Sequence, residues 1–200
     1  MPAGKTQDIR NIALVGHGGA GKTTLAEAML HAAKVTGRFG SVDDGTSTMD
    51  FTDIEKERKH SVDPALCFMT HAGKTVNMID TPGYPDFVGD AYTALAAVET
   101  AVVVIDATSG IGVNTRRLYR LAADQGLARV IVLTKLDGEN VDVEGLTSQV
   151  REQFGPTCLA LTLPVGVGAA FAGVVNVLRP PEDVPDGVVG DIAALSLIHI

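Results

Sequence analysis

The densest chemistry in the chain lies in GHGGAGKTT, residues 16–24. Gly16, four residues, then Gly21, Lys22 and Thr23 is the spacing of a loop that wraps phosphate. Glycines lack the Cβ that would stop successive N–H groups from turning toward one anion, and Lys22 adds a positive point charge. A helix starting there aims the positive end of its dipole at the same place. Thr23 offers a hydroxyl to a Mg2+ ion on the phosphates, so Gly16, His17, Gly18, Gly19, Ala20, Gly21, Lys22, Thr23 and Thr24 are the candidate phosphate-binding residues.

A second constellation is DTPGYPDFV, residues 80–88, directly after the apolar run TVNMI. In a chain with a phosphate loop, a carboxylate ending a strand puts Asp80 where it can hold Mg2+ through water. Pro82 and Gly83 turn the backbone so that the Gly83 N–H can reach a terminal phosphate, an interaction that ends when that phosphate leaves. The third is VLTKLDGE, residues 132–139, with Thr134, Lys135 and Asp137 at the carboxyl end of a strand, the side on which open α/β sheets bind ligands. The Asp137 carboxylate can accept from both N1–H and the exocyclic amine of guanine, and adenine has no such pair of donors. Alone, TKLD is compatible with a polar surface loop; in series with the other two it reads as base recognition.

These loops need elements to place them. Strand candidates are NIALV (11–15), ALCFMT (65–70), TVNMI (75–79), AVVVI (101–105) and RVIVL (129–133). Three are continuous runs rich in β-branched residues, as expected of strands covered on both faces. Helices fit 22–34, 88–98, 113–125 and 143–154; in the last, Val143, Leu146, Val150 and Phe154 share one face. The alternation gives an α/β class with a mostly parallel sheet and helices on both faces. After Gly155-Pro156 the composition shifts to Gly, Ala and Val, so a main domain over 1–160 is expected, with RPPEDVPDG (179–187) as a turn or linker.

Composition bounds the rest. With 200 residues and 46% apolar content the chain can bury one sizeable core. A net charge of −8 argues against a direct nucleic-acid-binding patch on this chain. No apolar run reaches the roughly 18 residues that span a bilayer, and no secretion signal is visible, so a cytoplasmic protein without membrane contact is expected. Cys67 and Cys158 stand far apart without metal-ligand neighbours and read as buried free thiols.

Taken together, NIALVGHGGAGKTTLAEAML, GSVDDGTSTMDFTDIEKERKHSV, DTPGYPDF and TKLD resemble the translational GTPases, most closely elongation factor G and elongation factor G-like proteins. The similarity runs from about residue 10 to residue 178, and LPVGVGAAFAGVVNVL (163–178) resembles the start of the insert subdomain of that family's GTPase domain. It implies a P-loop NTPase fold binding GTP, GDP and Mg2+, with residues 161–194 beginning a truncated insert. The ribosome would be a partner through the remaining domains of a full-length protein. The closing LSLIHI (195–200) resembles what a transposon end used in sequencing libraries encodes in frame, and is expected to be a non-native tail.

The resemblance also assigns roles from which this sequence departs. Ser61, in the first switch, keeps a magnesium-binding hydroxyl where the family has threonine, giving a metal set of Thr23, Ser61 and Asp80. Tyr84 stands in the place of a histidine that orients the attacking water, and His60 replaces an apolar residue that screens it. Gly18 and Gly19 lack the β-branched and aspartate side chains usual there. Catalytic candidates are therefore Tyr84, Gly83 and His60, although His60 also reads as a solvated loop residue. A phenol with a pKa near 10 cannot replace a near-neutral imidazole, so slow hydrolysis is expected. A GTP-dependent binding switch with little hydrolysis is the alternative, and a signal-recognition-type GTPase, which TKLDG also fits, is disfavoured by DTPG and the insert-like stretch.

Overall fold

The computed structural model describes residues 5–183 and 185–188. They form seven strands and five α-helices: β1 (Ile9–Gly16), α1 (Lys22–Ala32), α2 (Asp53–Arg58), β2 (Ala65–His71), β3 (Lys74–Asp80), α3 (Val88–Leu95), β4 (Thr100–Asp106), α4 (Val113–Asp124), β5 (Ala128–Thr134), α5 (Val143–Phe154), β6 (Thr162–Val165) and β7 (Gly173–Asn176). The chain divides into two compact units, residues 1–105 with 112–132, and residues 106–111 with 133–200.

A five-stranded sheet has the order β2-β3-β1-β4-β5. β1 runs parallel to both β3 and β4, which requires a crossover helix on each side, and β2 is an antiparallel hairpin partner of β3. The parallel centre explains the unbroken apolar runs. Alternate residues of β4 point to opposite faces, and Ala101, Val103 and Ile105 are as buried as Val104 on the other side. Leu14, Val102, Val104 and Met78 pack with Ala26 and Leu30 of α1 in one core cluster. α3 and α4 also pack on β1.

Several expectations shift. α1 stops at Ala32 instead of reaching residue 34, because Lys34 adopts a left-handed backbone. β5 is not covered on both faces: it is the last strand of the sheet, and Val130 is 40% exposed. The opposite edge, β2, likewise leaves Leu66 and Phe68 in solvent. Cys67 and Cys158 form no disulfide and are half-buried, and burial pushes the Cys67 thiol up to about 11.

In the second unit α5 spans the expected residues and buries Val143, Leu146 and Val150, with Phe154 half-buried. Beyond it β6 and β7 form an antiparallel pair around Leu163, Val175 and Val177, strands that periodicity had not resolved. Residues 195–200, expected to be a tail, lie outside the described residues. No helix among the described residues is long and apolar enough to cross a membrane.

Candidate functional site

The loop after β1 turns as its glycines allow. Gly19 and Gly21 have φ of +75° and +83°, and Gly21 is the residue from which α1 springs. Lys22 opens that helix and is buried, donating from Nζ to the carbonyls of His17 (2.9 Å) and Gly16 (3.4 Å). Burial pushes its pKa down, and the nearby Asp80 charge opposes the shift.

At the next residue, Thr23, four oxygen-bearing side chains converge. Thr23 Oγ1 donates to Asp80 Oδ2 (2.7 Å), Ser61 Oγ donates to Asp50 Oδ1 (2.7 Å), and the two hydroxyl oxygens lie 3.0 Å apart. With each hydroxyl hydrogen given to a carboxylate, lone pairs face each other across that gap. Asp80 Oδ1 and Asp50 Oδ2 are buried and have no protein partner. Buried acceptors without donors, all of them oxygen, suit a hard cation such as Mg2+, and this chemistry fits the expected metal set of Thr23, Ser61 and Asp80. Among the described residues no three His, Cys, Asp or Glu side chains cluster as a metal site. The cluster mixes two hydroxyls with two acids, and its fourth member, Asp50, was not foreseen.

Burial pushes the Asp80 carboxyl up to about 6, with the Thr23 hydrogen bond and Lys22 opposing and Asp50 reinforcing. This has a measurable sign. Between the ordinary carboxyl value and about 6 the folded metal-free chain holds a proton that the unfolded chain has released, so Asp80 makes stability fall as pH rises through that window. The decline totals about 3 kcal/mol. Urea unfolding in EDTA from pH 4 to pH 7 is expected to show this decline in the unaltered chain and not in Asp80→Asn. Parallel curves for the two proteins would contradict the assignment.

The segment carrying Asp50 and Ser61 is held by two buried glutamates that sequence reasoning missed. Glu27 of α1 accepts through Oε1 from the Ser47 hydroxyl (3.0 Å) and the Thr48 and Met49 N–H groups. Glu55 accepts from Val62 N (3.0 Å), Asp63 N (3.2 Å) and Thr52, with which it forms a capping box at the start of α2. Burial raises the Glu55 carboxyl, but these donors outweigh it and hold it below the usual range. The TDIE tetrapeptide signals that box. Nothing local signals Glu27, whose partners are some twenty residues away.

After β3, Thr81 donates to the Leu14 carbonyl (2.7 Å) and is fully buried, fixing the second loop on β1. Gly83 then lies so close to the phosphate loop that a Cβ there would overlap Lys22 Nζ and stand 2.6 Å from the Gly18 nitrogen. Tyr84 is 44% exposed, and its ring packs against His60 with centroids 4.7 Å apart. His60 Nδ1 lies 2.9 Å from the Arg58 carbonyl, which can only accept, so that nitrogen carries the hydrogen. Gly16–Thr24, Asp80, Gly83, Tyr84, His60 and Ser61 all fall in the first unit.

In the second unit, the Thr134 carbonyl ends β5 by accepting from Ala107 N (2.9 Å). Lys135 has a left-handed φ of +57° and pairs with buried Asp106 at 2.7 Å. Burial favours the neutral Asp106 acid, yet Lys135 and the Thr108 donors hold it down at about 2. Asp137 is exposed in the following turn, which Gly138 N closes on the Lys135 carbonyl (3.0 Å). Asp106 was also missed, although an acid ending the AVVVI run is the signal that identified Asp80.

Residues 7–192 match the sequence model of the elongation factor Tu GTP binding domain. An elongation factor G-like protein of Mycobacterium tuberculosis is 41% identical over 160 residues, 80% of this chain and 22% of the relative. A mitochondrial ribosome-releasing factor 2 of Bos taurus is 36% identical over 171 residues, covering 86% and 22%. The crystal structure of a Thermus thermophilus protein superposes with a TM-score of 0.82 at 36% identity, over 89% of this chain and 28% of that one. The chain therefore spans about a quarter of the length of these relatives.

Proposed function

The chain belongs to the family of elongation factor Tu GTP binding domains, and from that membership we propose that it binds GTP and GDP and hydrolyses GTP slowly, as part of an elongation factor G-like protein acting at a ribosome-associated step. The observation that carries this reading is the oxygen cluster of Thr23, Ser61, Asp80 and Asp50 beside the Lys22 ammonium. In this proposal residues 1–160 form the nucleotide domain, and residues 161–194, with β6 and β7, begin an insert subdomain. The ribosome is met by the full-length protein in the cytoplasm. The match to this family leaves a signal-recognition-type GTPase without support.

Lys22 and the loop N–H groups face the phosphate charge, and Asp137 accepts the two guanine donors. Thr23 and Ser61 would hold Mg2+, with Asp80 and Asp50 behind them, and the ion would supply positive charge against the phosphates. Hydrolysis joins a water oxygen to the terminal phosphorus and breaks its bond to the bridging oxygen, giving GDP and phosphate. Gly83 N–H addresses the terminal phosphate. The Tyr84 hydroxyl can donate one hydrogen bond toward the water.

Single-turnover hydrolysis by the full-length protein, with and without ribosomes, tests the reading. Slow, ribosome-stimulated turnover is expected, with Tyr84→Phe within about threefold of the unaltered protein. Tyr84→His should restore only part of a fast rate, because Gly18, Gly19 and His60 leave the surrounding shell altered. A Tyr84→Phe protein a hundredfold slower, about 2.7 kcal/mol, would make the hydroxyl catalytic and overturn the slow-site reading. A second reading, a GTP-dependent binding switch without useful hydrolysis, is favoured by the His60 Nδ1 hydrogen being committed to a backbone carbonyl. Tight GTP binding with no ribosome-stimulated turnover would establish it.

A further inference from the structure

We propose that Tyr84 is a positioning residue: its ring, seated on the open face of Gly18 and against His60, carries residues 50–62 onto the phosphate loop so that the Ser61 hydroxyl meets Thr23. The inference deepens the nucleotide-binding reading and rests on it for its consequence, the supply of Ser61 to the metal.

Three observations converge. A Cβ built on Gly18 would lie 3.2 Å from Tyr84 Cε2 and 3.3 Å from Cδ2 and Cζ, tighter than a side chain ordinarily tolerates. The Gly18 backbone is not in the left-handed region, unlike Gly19 and Gly21, so its own conformation does not demand glycine. A side chain there would press on the tyrosine ring and push it by a few tenths of an ångström. The far side of the arrangement is His60, whose ring is tilted 53° to that of Tyr84 at 4.7 Å, a geometry of favourable aromatic contact. The residue after His60 is Ser61, whose Oγ lies 3.0 Å from Thr23 Oγ1 and donates to Asp50. Positions 18, 60 and 84 therefore form one packed group centred on the tyrosine ring. An empty position 18 lets the ring at 84 lie close on the phosphate loop, and an imidazole at 60 gives it a surface to rest on. The working part of Tyr84 is its ring, not its hydroxyl.

Trypsin reads this packing directly, because Arg58 and Lys59 are exposed immediately before His60. Cleavage after these two residues is followed by mass spectrometry on this chain, both nucleotide-free and with Mg2+ and a non-hydrolysable GTP analogue. Cleavage within α4, at Arg116 and Arg117, serves as the internal measure of global unfolding. Tyr84→Ala and His60→Ala are each expected to speed cleavage at 58–59 about fivefold, the size of one aromatic pair, without changing cleavage in α4. His60→Ala also frees the Arg58 carbonyl at the scissile bond, so the double variant should match His60→Ala: adding Tyr84→Ala to it removes no further ring pair and should not speed cleavage again. Gly18→Val should match Tyr84→Ala by displacing the ring, and Tyr84→Phe should retain the protection of the unaltered chain. Unchanged cleavage in Tyr84→Ala, an equal rise in α4, additive effects in the double variant, or a Tyr84→Phe protein as sensitive as Tyr84→Ala would each overturn the proposal. If no protein binds the analogue, the nucleotide-binding reading fails, and the nucleotide-free digests still decide whether the ring holds the segment.

Discussion

Replacing Asp137 by alanine is expected to weaken GDP binding by about 3–6 kcal/mol, two charge-assisted hydrogen bonds at about 1.5–3 kcal/mol each. That is roughly two to four powers of ten in the dissociation constant. ADP binding, which never used those acceptors, should change little, so discrimination between the two nucleotides collapses. The loss is interpretable because Asp137 is exposed in a turn closed by backbone. The fold should notice the substitution by no more than about 0.5 kcal/mol. Parallel titrations with fluorescent GDP and ADP check this, and equal affinities in the unaltered chain would remove the guanine assignment.

A second large effect is expected at Lys22, with a different signature from its neighbour Thr23. Lys22→Ala removes a buried positive charge from the phosphates and should cost about 2–5 kcal/mol of nucleotide affinity whether or not Mg2+ is present. Thr23→Ala leaves that charge in place and removes one of the two facing hydroxyls, so its penalty should appear only when Mg2+ is present. Isothermal titration with GTP in EDTA and in millimolar Mg2+ separates the two. A Thr23→Ala protein keeping the full magnesium dependence of the unaltered chain would show that this hydroxyl does not serve the metal.

The turn and helix start over residues 16–24 were legible in the sequence because their signals are local: spacing, glycines and helix start lie within nine consecutive residues. The parallel centre of the sheet was legible for a similar reason, since burial on both faces leaves unbroken apolar runs such as AVVVI. Asp50 and Glu27 were opaque. Their partners stand eleven and some twenty residues away along the chain, and a carboxylate's surroundings are set by the fold rather than by adjacent sequence. β5 misled because RVIVL resembles a central strand, while its position at the end of the sheet depends on strand order, which periodicity does not encode. The alterations at Gly18, His60 and Tyr84 were each visible as letters. Their mutual fit was not, since only three-dimensional proximity relates positions 18 and 84.

The exposed apolar side chains on both outer strands bear on how the chain behaves as a solute. Leu66 is 74% and Phe68 46% exposed on one edge, and Val130 lies open on the other, so each molecule offers two places where a second sheet can add. Long-range repulsion between chains of net charge −8 opposes such addition. That repulsion reaches about 30 Å at 10 mM salt and only about 3 Å at 1 M. Added salt is therefore expected to favour association, since it shortens the repulsion and leaves the apolar side chains exposed, and light scattering against ionic strength reads the effect.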